Sequence, residues 1–379
     1  MAMLIPRVYD DLEQLIRPGK VLVIYGPRRV GKSTLISQYL KKVKSKKLLV
    51  TGDDIDIQEI LGSQSGNKIN SLVAGLDLFI IDEAQRVPHI GFGLKIMIDQ
   101  NPSLKIIATG SASFDLQNKI GEPLTGRKRT LTLYPLSQLE LRTIHTPFEL
   151  DQQLENALIY GSYPEILIAN TNTDRQILLS EIINSYLFKD ILELERVKGA
   201  KVLVDLLRMV AFQVGSEVSI TELSSSIGLD KNTVARYLDL FEKAFVLYNL
   251  RGFSRNLRKE VTKKSKYYFF DNGIRNALIS NFNPIALRDD IGKLWENFLV
   301  MERLKKQSYT PIFSNNYFWR TWDQMEIDFV EEREGKLFGY EFKWSKAKAA
   351  TKAQVFFLET YPNASIETIN SDNYQDFVI

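Results

Sequence analysis

The stretch Gly26-Pro27-Arg28-Arg29-Val30-Gly31-Lys32-Ser33-Thr34 satisfies the spacing G-x-x-x-x-G-K-[ST]. Its residue types suit one kind of chemistry, the holding of nucleotide phosphates. The two glycines let the backbone turn N–H groups inward onto phosphate oxygens. A helix starting near Lys32 adds its positive end. Lys32 can then reach the β- and γ-phosphates, and the Ser33 hydroxyl can coordinate Mg²⁺. A second polar pair ends the apolar run Leu78 to Ile81, namely Asp82 and Glu83. Asp82 suits the water shell of a Mg²⁺ ion. Glu83 could orient or deprotonate an attacking water, which marks a hydrolase rather than a small-molecule kinase. The run "LKIIATGSAS" ends in Thr109, Gly110 and Ser111. In a parallel sheet that end faces the nucleotide, so Thr109 or Ser111 could sense the γ-phosphate. Arg127 and Arg129, in "EPLTGRKRTLTLYPLS", offer an arginine finger acting within the chain or across a subunit contact. The alternative is an exposed basic loop.

Two further groups lie nearer the C-terminus. "ITELSSSIGLDKNTVARYLDLFEKAFVL" has the layout of a winged helix. Ile220, Leu223 and Ile227 make one apolar face, Gly228 permits the turn, and Asp230 caps a second helix that turns Val234, Leu238 and Phe241 inward. Lys231, Asn232, Thr233 and Arg236 then face outward as recognition residues would. "FVLYNL" and "KYYFF" bracket a wing carrying Arg251, Arg255, Arg258, Lys259, Lys263, Lys264 and Lys266, opposed only by Glu260. Such a patch predicts salt-sensitive contact with DNA, or RNA in its place, although winged helices also dock proteins. The last group comprises Glu296 in "GKLWENFLVMERLKK", Asp328 in "QMEIDFVEE", and Glu341 with Lys343 in "KLFGYEFKWS". Strand alternation puts Glu341 and Lys343 on one side, where Asp328 from a neighbouring strand could join them. Carboxylates that hold divalent ions beside a lysine suit phosphodiester hydrolysis. A salt-bridge ladder is the alternative.

These groups need elements to position them. The 379 residues exceed one compact core. "KVLVIY", "KLLVTG", "LDLFIID" and "LKIIATG" alternate with helical patterns over 1–145, which predicts a parallel sheet covered by helices. Residues 146–208 read as a helical lid packed on that core, with "GSYPE" at a sharp junction. The winged helix takes 209–285, and a small α/β domain takes 286–379. Net charge is only +3, so nucleic-acid affinity must come from local patches. The absence of cysteine excludes disulfides, thiolate zinc sites and cysteine nucleophiles, and two histidines cannot build a histidine-rich metal centre. Metal chemistry therefore rests on oxygen ligands, favouring Mg²⁺ or Mn²⁺. "MAMLIPRVYDD" lacks the pattern of a signal peptide and no apolar run is long enough to span a bilayer, so the expected location is cytoplasmic.

Taken together, "IPR" at residues 5–7, "GPRRVGKST", "IIDEAQ", "TGSASFDL…EPLTGR", "YPLSQLE", "YGSYPEIL" and "YYFFDNGIRNAL" resemble a prokaryotic, especially archaeal, family of AAA+/STAND-like P-loop ATPases over nearly the whole chain. The resemblance implies ATP as the nucleotide. It also implies a C-terminal domain similar to the PD-(D/E)xK restriction-endonuclease-like fold. There Asp328 and Glu341 would be ligands of Mg²⁺ or Mn²⁺, Lys343 the catalytic lysine and Glu296 an auxiliary acid. One departure is that no proline precedes Asp328. Arg7 matches the family's early arginine, without an assigned role. The fold class implied is α/β: a P-loop parallel sheet, then a helical lid, a winged helix and the nuclease-like domain. The function implied is Mg²⁺-dependent ATP hydrolysis coupled to DNA binding and to a metal-dependent nuclease. The alternatives are a nucleotide-gated DNA-binding regulator with an inactive nuclease-like domain, and a signalling switch that binds protein partners.

Overall fold

The computed structural model describes residues 5–111, 123–187, 200–253, 265–345 and 350–379. Two compact units result, one of Pro6–Tyr134 with Lys243–Phe245, the other holding Pro135–Glu242 and Val246–Ile379.

In the first unit the strands are β1 (Val21–Tyr25), β2 (Lys47–Thr51), β3 (Leu78–Asp82), β4 (Lys105–Gly110) and β5 (Lys128–Thr132). They form one parallel sheet in the order β2-β3-β4-β1-β5. The helices between them are α1 (Lys32–Lys42), α2 (Ile55–Gly62), α3 (Gly66–Val73) and α4 (Ile90–Gln100). Sequence and burial agree here. "VLVIY" is apolar at every position because β1 is buried throughout, as a central parallel strand requires. Edge strand β2 instead alternates exposed and half-buried positions. Val21, Val23 and Tyr25 pack with Phe79, Ile81, Ile106 and Leu94 in the core. The sequence pattern suggests four strands; β5 is the fifth, bonded parallel to β1 with Val21 opposite Lys128.

The second unit contains α5 (Pro147–Tyr160), α6 (Asn172–Glu181), α7 (Ala200–Phe212), α8 (Ile220–Ile227), α9 (Lys231–Lys243), α10 (Asn272–Leu278), α11 (Ile291–Tyr309) and α12 (Lys352–Thr360). Its strands are β6 (Leu247–Gly252), β7 (Ser265–Phe269), β8 (Asn315–Arg320), β9 (Glu326–Arg333), β10 (Lys336–Phe342) and β11 (Ala364–Ile369). All six share one sheet, in the order β11-β10-β9-β8-β6-β7. The strands read as bracketing a wing are thus part of the same sheet as the C-terminal strands, joined where Arg251 and Gly252 pair with Tyr317 and Phe318. The helices read as a lid on the nucleotide-binding core fall within this unit too, because α5 is fastened to α10. Asn272 and Asn276 donate side-chain amides to the Leu158 carbonyl, and Asn276 also reaches that of Ile159. The Ser162 amide donates to Asp271 at 2.7 Å. Gly161 is needed at that corner, since a Cβ there would lie 1.9 Å from the Asp271 carboxylate. No helix among the described residues is long and apolar enough to cross a membrane.

Candidate functional site

The loop from Gly26 to Lys32 leaves the carboxyl end of β1, where the neighbouring ends of β3 and β4 also converge. Open parallel sheets bind ligands at this edge. Gly26 is required by close approach: a Cβ would sit 2.1 Å from the Leu133 carbonyl oxygen. Gly31 is required by conformation, with φ +96° at the N-cap of α1. No side chain caps α1, and no acid lies in its first turn. Its first amides and its positive dipole end are therefore available to an anion. Lys32 is buried, and its ammonium donates to the carbonyls of Gly26 (2.7 Å) and Pro27 (2.9 Å). Arg28 and Arg29 are half-buried, Val30 is buried, and Ser33 and Thr34 are exposed on the first helical turn.

The acidic strand tip meets this loop. The Ser33 hydroxyl donates to Asp82 Oδ2 at 2.9 Å. The buried Thr109 hydroxyl donates to the other oxygen, Asp82 Oδ1. A hydroxyl and a carboxylate so placed are the kind of oxygen pair that could hold Mg²⁺, which takes few protein ligands and keeps several waters. Glu83 follows with φ +51° and ψ +43°, the left-handed region that residues other than glycine rarely enter. Two contacts hold it there. Its amide donates to Thr109 Oγ1 at 3.2 Å, and Gly52 packs beneath its carbonyl so closely that a Cβ would lie 2.3 Å away. Gln85 donates to Glu83 Oε2 and, at 3.2 Å, to Ser111 Oγ. Ser33, Asp82, Glu83, Thr109 and Ser111 are thus brought together. Gln85 and Gly52 escaped the sequence reading, although "IIDEAQ" places Gln85 two residues beyond Glu83.

One expectation changes. Arg127 and Arg129 lie at the amino end of β5, the end of the sheet opposite the phosphate loop: the Val21 amide donates to the Arg127 carbonyl, and Leu22 pairs with Arg129. Arg127 pairs with Asp99, and Arg129 donates to the Leu15 carbonyl at 3.4 Å. Neither is a finger for the site of its own chain. Arg7 donates to the carbonyls of Val30 and Tyr134, both at 2.7 Å, and so ties the loop to the chain leaving β5.

In the second unit Glu296 comes from α11, Asp328 from β9, and Glu341 from β10, with Lys343 just beyond. Lys343 pairs with Glu341 at 2.9 Å, and Thr351 donates to the other Glu341 oxygen at 3.1 Å. Asp328 accepts from the Phe342 amide at 2.8 Å. Burial, then the charge of Glu296, pushes the Asp328 carboxyl up to about 7. Glu296 accepts from Tyr268 at 2.6 Å and from Lys266 at 3.3 Å. Each carboxylate already has a partner within the chain. Among the described residues no three acids or histidines gather as metal ligands. Asp328 and Glu341 therefore do not fit as the metal centre of a nuclease, because no third acid or histidine gathers with them among the described residues. Lys266, counted with the basic wing, is only 1% exposed and belongs to this cluster.

On the α8–α9 pair, Gly228 adopts φ +69° and closes α8, and Asp230 accepts from the Thr233 amide. Val234, Leu238 and Phe241 are buried, Lys231, Asn232 and Arg236 are exposed, and Thr233 is half-buried. Arg255, Arg258, Lys259, Lys263 and Lys264, with Glu260, lie outside the described residues.

An AAA domain model (AAA_14) matches residues 18–142, and two domains of unknown function match 151–284 (DUF8612) and 291–373 (DUF4143). With the sheet and loop geometry, the first unit has an AAA-type P-loop fold. An uncharacterized protein of Mycobacterium tuberculosis is 26% identical over 351 residues, covering 90% of this chain and 74% of that protein. One of Methanocaldococcus jannaschii is 23% identical over 396 residues, with 97% and 86% covered. Among solved structures, a STAND protein with a tetratricopeptide repeat sensor from Pyrococcus horikoshii aligns at TM-score 0.32 and 13% identity, over 81% of this chain and 46% of that one.

The Gly26 contact yields a test. Gly26→Ala should weaken binding of a fluorescent nucleotide by at least about tenfold, because the loop must move off Leu133. Unchanged affinity would show that the close approach does not shape the loop.

Proposed function

We propose that the chain is a Mg²⁺-dependent ATP hydrolase whose nucleotide state governs a nucleic-acid-binding module. The observation that carries this is the meeting of Ser33, Asp82 and Thr109 at the carboxyl edge of the first sheet, with Glu83 held beside them. Loop amides and Lys32 would bind the phosphates, and Ser33 with Asp82 would hold Mg²⁺, which neutralises charge on the phosphate oxygens. Glu83 would accept a proton from water, its position fixed by Thr109 and Gln85. Thr109 and Ser111 lie where a change at the terminal phosphate would be felt. The choice of ATP as the nucleotide follows the family resemblance.

For the second unit, 146–208, 209–285 and 286–379 are taken as its functional parts. The exposed Lys231, Asn232 and Arg236 on α9, a helix whose other face is buried, support DNA as the partner, with RNA as the alternative nucleic acid and docking of a protein as the rival use. The partnered carboxylates favour a nuclease-like fold that holds rather than cuts, so the regulator reading is preferred to a metal-dependent nuclease. Nucleotide binding could bias the arrangement of the two units only through contacts that differ between ATP- and ADP-bound states.

Glu83→Gln should bind ATP like the parent and turn it over about 100-fold more slowly; equal turnover would remove Glu83 from the role of water activator. Replacing Lys231 and Arg236 together by alanine should weaken binding to duplex DNA and lower the slope of log affinity against log salt by about one to two. An unaltered slope would favour the protein-docking alternative.

A further inference from the structure

Lys266 projects from β7 into the interior of the second unit, 1% exposed. Its ammonium lies 2.5 Å from Glu326 Oε1 and 3.3 Å from Glu296 Oε1, and 5.3 Å from the centre of the Phe318 ring. Asp328 adds its field to those of the two glutamates. The Tyr268 hydroxyl donates to the same Glu296 oxygen at 2.6 Å. Beyond Glu326 the cluster continues through Arg320, 3.4 Å from Glu326 and 3.3 Å from Glu217. The Glu217 backbone in turn forms an antiparallel bridge with Lys266. Groups from α11, β7, β8 and β9, and from the segment before α8, therefore meet around one ammonium.

Physical chemistry limits what such a cluster can do. A buried ammonium persists only where carboxylates surround it, and buried carboxylates only where a cation answers them. A hard divalent ion needs those same oxygens turned toward itself. An ammonium and a divalent cation a few ångströms apart repel each other strongly at low dielectric, so one excludes the other.

We propose that Lys266 is the resident cation of this carboxylate cluster: a tethered ammonium supplies the charge that a divalent metal would bring, and in doing so fastens the β6–β7 hairpin to α11 and β9. Glu296, the auxiliary acid of the nuclease-like resemblance, thereby becomes with Glu326 an anchor for the hairpin, whose Arg251 is exposed. This deepens the regulator reading of the second unit and is independent of ATP hydrolysis.

The test uses the full chain without nucleotide or DNA, so its failure is separate from failure of the hydrolase assignment. Free Mn²⁺ is titrated by electron paramagnetic resonance into the parent, Asp328→Asn, Lys266→Met and the double variant. The parent and Asp328→Asn should take up Mn²⁺ alike. Lys266→Met should gain one Mn²⁺ per chain, at least about tenfold tighter than anything in the parent, and the double variant should lose it. A Mn²⁺ site in the parent that Asp328→Asn abolishes would overturn the proposal, as would a folded Lys266→Met chain with no added site. If Lys266→Met does not fold, Lys266→Gln, which keeps a hydrogen-bond donor toward Glu296 and Glu326 without the charge, takes its place under the same two outcomes.

Discussion

The first unit depends on one close approach. Gly26 must lie against the Leu133 carbonyl, where there is no room for a Cβ, and Leu133 in turn donates its amide to Tyr25 at 2.7 Å. That contact sets where the phosphate loop leaves β1 and how the chain leaves β5. Arg7 adds a second tie between the same two segments. With the loop so placed, α1 presents uncapped amides toward the ends of β3 and β4, and Asp82 and Thr109 fall beside Ser33 without further design. The left-handed Glu83, of a kind that costs of order 1–3 kcal/mol, is held by Gly52 and Thr109. Strain of this sort persists only where surrounding packing over-determines it.

In the second unit the governing constraint is charge burial rather than backbone proximity. Asp271, Glu302, Lys305, Arg275 and Lys266 are all buried, and each is answered locally. Lys305 pairs with Glu302 at 2.7 Å, and Glu302 accepts the Gln138 amide at 2.6 Å. Arg275 pairs with Asp290, and Asp271 accepts the Ser162 amide. Buried ionic networks of this kind contribute little net stability, but breaking one partner leaves an uncompensated charge. They bind α5, α10, α11 and the sheet into one unit, which explains why the helices after residue 145 and the β6–β7 hairpin are not separate bodies.

What was legible in the sequence was local. The glycine spacing of residues 26–31, the apolar runs of β1, β3 and β4, and the acids at Asp82 and Glu83 all signal through neighbours in the chain. Capping at Asp230 and the turn at Gly228 were legible for the same reason. The misreadings concern pairings set far along the chain. Arg127 and Arg129 read as a finger acting within the chain or across a subunit contact, or as a basic loop, and the register of β5 against β1 removes only the role within the chain. Lys266 looked like one more solvated base in a basic run, because nothing adjacent in sequence reveals Glu296 or Glu326 across the fold. Arg7 stood out only within the motif "IPR" and its role was not legible, since its partners are the carbonyls of Val30 and Tyr134, residues distant from it in the chain.

The central claim is that the loop after β1 and the tip of β3 together grip a nucleoside triphosphate with magnesium. Calorimetric titration of a non-hydrolysable ATP analogue, with Mg²⁺ and again with a chelator, tests it most directly when run on the parent and on Ser33→Ala. The account predicts binding at least about tenfold tighter with Mg²⁺ in the parent, and an advantage largely lost in Ser33→Ala. Equal affinity with and without Mg²⁺, or a Mg²⁺ effect unchanged by Ser33→Ala, would contradict it.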